Sequence, residues 1–130
     1  MIEFHLDARS GVAPYQQLVR QVRHALRLDV LRAGDRLPTV KDVAGSLAIN
    51  PNTVLKAYRE LEQSGLVAAR PGVGTFVVAS LGPVSPAAHV PLRRELQRWL
   101  ERARTAGLDD ESIEALFRDA FRTQSDQETA

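Results

Sequence analysis

Two signals for the start of a helix stand side by side at Asn50 and Pro51. An asparagine at an N-cap accepts a hydrogen bond from the first helical turn, and a proline at the first helical position loses no intrahelical bond. A short apolar pattern over residues 40–47, with Thr39 as its N-cap, ends just before them, leaving only residues 48–50 as a break. The sequence therefore predicts two helices joined by a tight turn, and the other elements must be arranged around this pair.

Further elements are predicted on both sides of the helix pair. Apolar residues recur at helical spacing over residues 14–26, which indicates a first helix. After the third helix, Gly65 supplies a stop, and two strand-like runs at 66–69 and 75–78 flank a loop rich in glycine and proline. This pattern predicts a β-hairpin. Residues 2–6 alternate between apolar and polar, which predicts a short half-buried strand.

The predicted order of helix, short helix, tight turn, capped helix and hairpin is the layout of a winged helix-turn-helix. We therefore expect a mainly α fold with a small β-hairpin, in which residues 1–78 form a winged helix-turn-helix domain. Residues 79–91, rich in serine, proline and alanine, are predicted to be a linker. Two amphipathic helices are expected over residues 92–122, and residues 123–130 are predicted to be a disordered tail.

The two C-terminal helices have apolar faces that cannot be buried well within so short a region. A helix cap at Asp109 is predicted to start the second of them. The apolar faces comprise Leu92, Leu96, Trp99, Leu100, Ile113, Leu116, Phe117 and Phe121. We expect these helices to be a dimerisation region that pairs with a second copy of the chain. The alternative is that they pack back onto the winged domain.

Small polar side chains mark the start of the predicted third helix, at Asn50, Asn52 and Thr53. Asparagine can pair with adenine through two hydrogen bonds, and threonine can bond a base or touch the methyl group of thymine. Lys56 and Arg59 follow on the same polar side, within reach of a guanine or a phosphate. The combination of cap, polar cluster, preceding short helix and following hairpin favours DNA contact by the cluster as a whole.

Each of these candidates also has a purely structural explanation. Asn50 taken alone is more commonly a helix cap. The two basic residues of the third helix could instead form solvated ion pairs with Glu60 or Glu62. In the hairpin, Arg70 is a candidate for phosphate contact, and Gly72 permits the close backbone approach of a wing to the minor groove. The alternative there is a plain hairpin turn.

The charge of the chain is unevenly distributed. The formal net charge is +1, which by itself gives no support for nucleic-acid binding. Between Arg9 and Arg59, however, nine basic and three acidic residues give a net charge of +6, and the remainder carries −5. The near-neutral total therefore conceals a basic segment suited to DNA and an acidic remainder.

Several functional classes are excluded by residue usage. The chain has no cysteine, so disulfides, thiolate metal sites and cysteine nucleophiles are ruled out. Its three histidines are far apart in sequence, and we expect no catalytic residue, metal site or cofactor. The uncharged residues 73–92 contain three prolines and two glycines, so no membrane helix is expected there. No secretory signal is found at the N-terminus, and a cytoplasmic location is expected.

The runs 34–44, 49–54, 57–62, 65–67 and 72–77 of this sequence resemble the GntR family of bacterial transcriptional regulators, and residues 14–18 look like the first helix of that family. The resemblance covers about residues 6–78. It implies a winged domain that binds a palindromic operator as a homodimer. It also implies which residues contact DNA, namely Lys41, Asn52, Thr53 and Lys56, with the wing at Gly72.

Two positions depart from the family pattern. Lys41 stands where an arginine is usual, so a forked contact would become a point charge. Asp29 replaces a common glycine after the first helix, which affects only that helix end. The short two-helix remainder is similar to the YtrA-like subfamily, whose members often regulate transporter operons and frequently their own gene.

The expected function is therefore that of a sequence-specific transcriptional regulator, a repressor rather than an enzyme. Its expected partners are a double-stranded DNA operator and a second copy of the chain. The alternative is a winged-helix protein-interaction module without DNA binding. A small-molecule sensor would need a pocket in the C-terminal region, which is too small to enclose a ligand. The sequence identifies no effector.

Overall fold

The computed structural model describes residues 2–82 and 86–129, which contain five helices and a two-stranded hairpin. These elements are α1 (Pro14–Arg27), α2 (Val40–Leu47), α3 (Pro51–Gln63), β1 (Val67–Arg70), β2 (Gly74–Val77), α4 (Pro86–Thr105) and α5 (Asp110–Thr129). The chain divides into two compact units, one ending at Pro86 and the other beginning at Ala87. The predicted fold class, mainly helical with a small antiparallel hairpin, is confirmed. None of the described helices is long and apolar enough to cross a membrane.

The core of the first unit lies where α3 meets α1, α2 and β1. The inward face of α3 is the one predicted from its spacing, Val54, Ala57, Tyr58 and Leu61. The largest fully buried side chains of this core are Leu18, Val22, Leu26, Leu37, Val54, Leu61 and Val77. Burying one such side chain stabilises a fold by about 1.5–3 kcal/mol. The stability of this unit therefore depends on the same helix that carries half of the eight predicted DNA contacts.

The tight turn between α2 and α3 has the geometry that the caps predicted. The backbone N–H of Asp42 donates to Oγ1 of Thr39 at 3.1 Å, which confirms the cap of α2. Ala48 ends α2 in the left-handed conformation, with φ of 55°, and the N–H of Ile49 donates to the carbonyl of Ala44 at 3.1 Å. Left-handed backbone costs a non-glycine residue about 1–2 kcal/mol, so the packing of the two helices must offset that strain.

The end of α1 shows why a glycine is common there. The helix stops at Arg27, and Asp29 follows with φ of 59°, a left-handed conformation that glycine adopts without strain. Aspartate tolerates this region better than most residues because its short side chain can bond locally. Oδ2 of Asp29 lies 3.2 Å from Nε of Arg32. Aspartate in place of the common glycine at position 29 thus leaves the left-handed turn after α1 unchanged.

The predicted strand over residues 2–6 is wrong, because its backbone is paired with side chains rather than with another strand. Oε1 of Gln21 accepts from the N–H of His5 at 3.1 Å, and Nε2 of Gln21 donates to the His5 carbonyl at 2.6 Å. Gln17 bonds the N–H and the carbonyl of Asp7 in the same way, at 2.8 and 3.0 Å. A glutamine amide offers the same donor and acceptor as a peptide group. The apolar side chains of this segment, Ile2, Phe4 and Leu6, are partly buried against the core, as their alternation predicted.

A third extended segment lies beside β2. The N–H of Leu37 donates to the carbonyl of Thr75, and the N–H of Val77 donates to the carbonyl of Asp35, both at 2.8 Å. Arg36 forms an antiparallel bridge with Phe76. The hairpin is thus extended by the segment that leads into α2, which fixes the position of the wing relative to the helix-turn-helix. Sequence reasoning did not predict this pairing.

The predicted linker over residues 79–91 is wrong at both ends. Residues 79–82 belong to the first unit, since Ala79 and Leu81 pack against its core. Gly82 approaches α1 closely enough that an added Cβ would lie 2.8 Å from the carbonyl oxygen of Arg27. Residues 83–85 of the predicted linker lie outside the described residues.

The remaining part of that predicted linker is helical, because α4 begins at Pro86 instead of Leu92. Proline is well suited to the first turn of a helix, where its missing N–H would have no partner. Pro91 lies inside α4, where it removes one backbone N–H from the hydrogen-bond ladder. The prolines at 83, 86 and 91 were therefore a misleading signal for a linker, since two of them lie within α4.

The last helix of the second unit, α5, is longer than the predicted helix that ended at residue 122. The N–H of Ser112 donates to Oδ1 of Asp109 at 2.8 Å, which confirms the predicted cap of α5. Hydrogen bonds from Ser112 lower the pKa of the Asp109 carboxyl. The prediction of a disordered tail is wrong over residues 123–129, which continue α5, while residue 130 lies outside the described residues. Earlier in α5, Arg118 forms an exposed ion pair with Glu114 at 2.8 Å, one turn before it.

Candidate nucleic-acid interface

The N-terminus of α3 is built by Asn50, which caps the helix. Its Oδ1 accepts from the N–H of Asn52 at 2.8 Å, and its carbonyl accepts from the N–H of Thr53 at 3.0 Å. The structural explanation for Asn50 therefore holds. Its oxygen keeps one lone pair beyond the capping bond, so a ligand could still meet that acceptor and the two N–H donors of the side-chain amide.

Asn52 and Thr53 lie in the first turn of α3, Asn52 exposed and Thr53 partly exposed. The helix dipole makes this end of α3 electropositive. A nucleic acid approaching here would meet short hydrogen-bonding side chains first. This is the arrangement that a reader of base edges requires.

Lys56 and Arg59 are exposed on the polar side of α3. Nζ of Lys56 lies 4.0 Å from the centre of the Tyr15 ring on α1, a cation–π contact. Among residues 2–82 and 86–129, neither basic side chain forms an ion pair with Glu60 or Glu62. The alternative of ion pairs with Glu60 or Glu62 is therefore not observed. The side chain of Lys56 is positioned instead by Tyr15 of α1.

Lys41 is exposed near the start of α2, two residues after the capping Thr39. The structure therefore places it on the helix-turn-helix, but not in the same turn as the polar cluster of α3. A charge at this position suits contact with the DNA backbone beside the groove.

The hairpin tip holds the two predicted wing residues. Gly72 is exposed with φ of +74°, and the N–H of Val73 donates to the carbonyl of Arg70 at 3.0 Å, which closes the turn. An added Cβ at Gly72 would meet no atom within 4 Å, so its conformation, not crowding, requires glycine. Arg70 is exposed at the end of β1. Arg36, which was not predicted from the sequence, lies beside the same hairpin. The available signal was the alternation of a polar residue, Arg36, with an apolar one, the buried Leu37, which is typical of a strand.

Tyr58 ties α3 to the entrance of α2. Its hydroxyl donates to the carbonyl of Pro38 at 2.6 Å, and the residue is 5% exposed. Burial raises the pKa of this phenol above its usual range. The contact connects α3 to the residues that lead into α2.

Replacing Tyr58 with phenylalanine should lower the free energy of unfolding at pH 7 by about 1 kcal/mol, because one buried hydrogen bond is lost. The raised pKa stabilises the fold fully below the pKa of an unfolded tyrosine, about 10, and less as pH rises beyond it. Urea unfolding at pH 7 and pH 10.5 should therefore show the advantage of tyrosine shrinking at the higher pH. An advantage that is unchanged at pH 10.5 would contradict a buried phenol.

In the second unit, the predicted dimerisation residues differ in exposure. Ile113 is buried, and Trp99 and Leu100 are partly buried. The remaining five are exposed, namely Leu92, Leu96, Leu116, Phe117 and Phe121. The rings of Phe117 and Phe121 are stacked with centroids 6.1 Å apart. Over residues 2–82 and 86–129, no three histidine, aspartate or glutamate side chains come together as a potential metal site.

Known proteins share this arrangement. Residues 14–77 match the family model described as bacterial regulatory proteins, gntR family. The chain is 38% identical over 72 residues to the transcriptional repressor YtrA of Bacillus subtilis, covering 55% of each protein. It is 31% identical over 99 residues to the HTH-type transcriptional regulator YhcF of the same organism, covering 76% of this chain and 82% of YhcF. The match thus spans about half the length of YtrA and most of YhcF.

A solved structure agrees with these matches. YtrA from Sulfolobus acidocaldarius, described as a GntR-family transcription factor, superimposes with a TM-score of 0.54 at 25% identity. The superposition covers 78% of this chain and 96% of that protein. Family model, curated relatives and solved structure agree with the helix-turn-helix and wing found here. This chain belongs to the GntR family of bacterial transcriptional regulators.

Proposed function

We propose that this protein is a sequence-specific transcriptional repressor that binds a palindromic DNA operator as a homodimer. The observation that carries the proposal is the open first turn of α3, where Asn52 and Thr53 stand at the N-terminus of the second helix of a helix-turn-helix. In this motif that end enters the major groove. Asparagine and threonine there have the donors and acceptors to read adenine and thymine.

The charge around the polar cluster supports the proposal. Lys41, Lys56 and Arg59 are exposed, and within the described residues none of them is neutralised by an ion pair. Each phosphate contact releases counterions from DNA, so basic side chains of this kind supply affinity that depends on salt. Lys56 and Arg59 are assigned to phosphate or guanine, and Lys41 with Arg70 and Gly72 to the backbone beside the groove.

Repression is proposed from the relatives, since YtrA of Bacillus subtilis is a transcriptional repressor. The likeness to YtrA extends the proposal to a transporter operon and to this protein's own gene as targets. The protein acts on these targets by binding and not as an enzyme, without a cofactor, in the cytoplasm where a bacterial operator lies.

The homodimer is proposed from the second unit. Its two helices bury only Ala103 and Ile113 among the described hydrophobic residues, while Leu92, Phe117 and Phe121 are exposed. So small a unit has too little core to be stable alone, and association is a common remedy. A second copy presents the same apolar face, and a two-fold axis would match a palindromic operator.

Asn52→Ala tests the reading of base edges. The operator is selected from a random pool of duplexes with the unchanged chain, and affinities are measured by fluorescence anisotropy. We expect Asn52→Ala to weaken operator binding about tenfold, because a paired contact to a base discriminates by about 1–3 kcal/mol. Binding to random-sequence duplex should not change. Gln63→Ala, at the far end of α3, is the matched control and should leave both affinities unchanged.

Two results would overturn the proposal. If no sequence is enriched from the pool and no salt-dependent shift is seen, the domain is a protein-interaction module without a DNA role. If Asn52→Ala weakens operator and random duplex equally, α3 does not read bases from its first turn.

A further inference from the structure

Arg36 lies on the wing with no role assigned from the sequence. It bridges to Phe76 from the segment that runs along β2, and Arg70 stands opposite Gly74 across the hairpin. Residues directly opposite each other in antiparallel strands point to the same face, and alternate residues of a strand share a face. Arg36, Arg70 and Phe76 therefore lie on one face of the wing, and both arginines are exposed.

Gly74 gives the side chain of Arg36 a defined place on this face. A Cβ at Gly74 would lie 2.8 Å from Nε and 3.3 Å from Cζ of Arg36. The guanidinium group therefore lies directly over the glycine backbone, an approach that a larger residue would block. The φ of +143° at Gly74 also favours glycine. The last glycine of the wing loop thus accommodates a cation as well as turning the chain.

Arg70 reaches the same face from the other strand. Its Cζ lies 5.0 Å from the centre of the Phe76 ring, so the guanidinium group covers the ring. Two cations on one face repel each other unless an anion lies between or beside them. In the part of the chain that the structure describes, no carboxylate lies within 4.0 Å of either guanidinium group. The neighbouring Asp35 accepts from the N–H of Arg32 instead, at 2.9 Å. The face therefore has positive charge without an anionic partner among the described residues.

We propose that Arg36 is a further DNA-contacting residue, which together with Arg70 binds backbone phosphate groups on this face of the wing. The proposal rests on the proposed DNA-binding function and specifies which part of the DNA the wing holds. A guanidinium group presents paired N–H donors that match phosphate oxygens, and a phosphate supplies the missing anion. Contacts to phosphate fix the position of a protein on DNA without reading its sequence.

The test is a salt series on the full chain with the selected operator and with random-sequence duplex, for Arg36→Ala, Arg36→Lys and Arg70→Ala. Arg36→Ala should weaken binding to both duplexes by about tenfold and reduce the slope of log affinity against log salt by about 0.9. Arg36→Lys keeps the charge and should retain most of the slope. Arg32→Ala is the matched control, since Arg32 is paired with Asp29 at 3.2 Å and its removal changes the net charge equally.

The results separate this inference from the function on which it rests. If the unchanged chain binds the operator and Asn52→Ala lowers its preference, but Arg36→Ala behaves like Arg32→Ala, only the assignment of Arg36 is overturned. If Arg36→Ala weakens operator binding alone, Arg36 reads sequence and the phosphate assignment is overturned. If the unchanged chain binds neither duplex, both proposals are overturned. Thermal unfolding of each variant within a few degrees of the parent shows that the wing is intact.

Discussion

Replacing Phe117 and Phe121 together with aspartate should convert the proposed homodimer into a monomer and lower affinity for the palindromic operator by about 10²–10⁴-fold. The two side chains are 49% and 66% exposed, so the substitutions leave the buried contacts of the unit largely in place. In an interface with a second copy, four carboxylates would replace four aromatic rings. Loss of the second subunit removes the gain from binding two half-sites at once.

Light scattering over a range of concentrations measures the change in mass, and anisotropy with operator and single half-site duplexes measures its consequence. The affinity of the double variant for a single half-site should stay within about twofold of the parent's, because the substitutions leave the winged domain unchanged. Ala115→Asp is the control, because Ala115 is exposed on the opposite side of α5 from Phe117. A double variant that remains dimeric would show that Phe117 and Phe121 do not lie in the dimer interface. Trp99→Asp is a poorer test, since Trp99 is partly buried within the unit.

The helix-turn-helix could be predicted because its signals are local. Thr39 and Asn50 cap their helices through residues two or three positions away, and Pro51 restricts its own backbone. The hairpin was predictable for the same reason, since Gly72 and its neighbours form the turn. Such features depend on a few consecutive residues, so a single sequence shows them.

Other features depend on contacts between distant parts of the chain. Residues 2–6 looked like a strand, but their partners are the side chains of Gln17 and Gln21 on α1. Nothing local distinguishes a sheet partner from a glutamine amide. The pairing of Leu37 with Thr75 spans the whole helix-turn-helix, and it is what brings Arg36 to the wing. These contacts required the structure.

The candidate site shows the same division. The position of Asn52 in the first turn of α3 followed from the cap, but the direction of Lys56 did not. Lys56 lies over Tyr15, which is 41 positions earlier in the chain and belongs to the helix that packs on α3. In the second unit, α5 continues to Thr129, beyond its last apolar residue, Phe121. Apolar spacing alone therefore ended that helix too early.

Leu61→Ala should lower the free energy of unfolding of the winged unit by about 2–5 kcal/mol, because it removes a fully buried side chain and leaves a cavity. Leu61 is 0% exposed and belongs to the core cluster with Leu18, Val54 and Leu26. Natural domains have only about 5–15 kcal/mol of stability, so the loss is a large share of the total. Urea unfolding followed by circular dichroism measures it. Leu28→Ala, at a position 42% exposed, is the control and should cost about 0.5 kcal/mol or less.

The consequence for DNA binding distinguishes the two faces of α3. Leu61 lies on its buried face and Asn52 on its exposed first turn, so Leu61→Ala should reduce the folded fraction without changing the contacts of the folded protein. At low temperature and without urea, operator affinity per folded molecule should match the parent, whereas Asn52→Ala should lower affinity with little change in stability. A Leu61→Ala protein that is fully folded yet binds the operator tenfold more weakly would show that the cavity shifts α3 itself. The buried face would then set the position of the first turn in the groove as well as the stability of the unit.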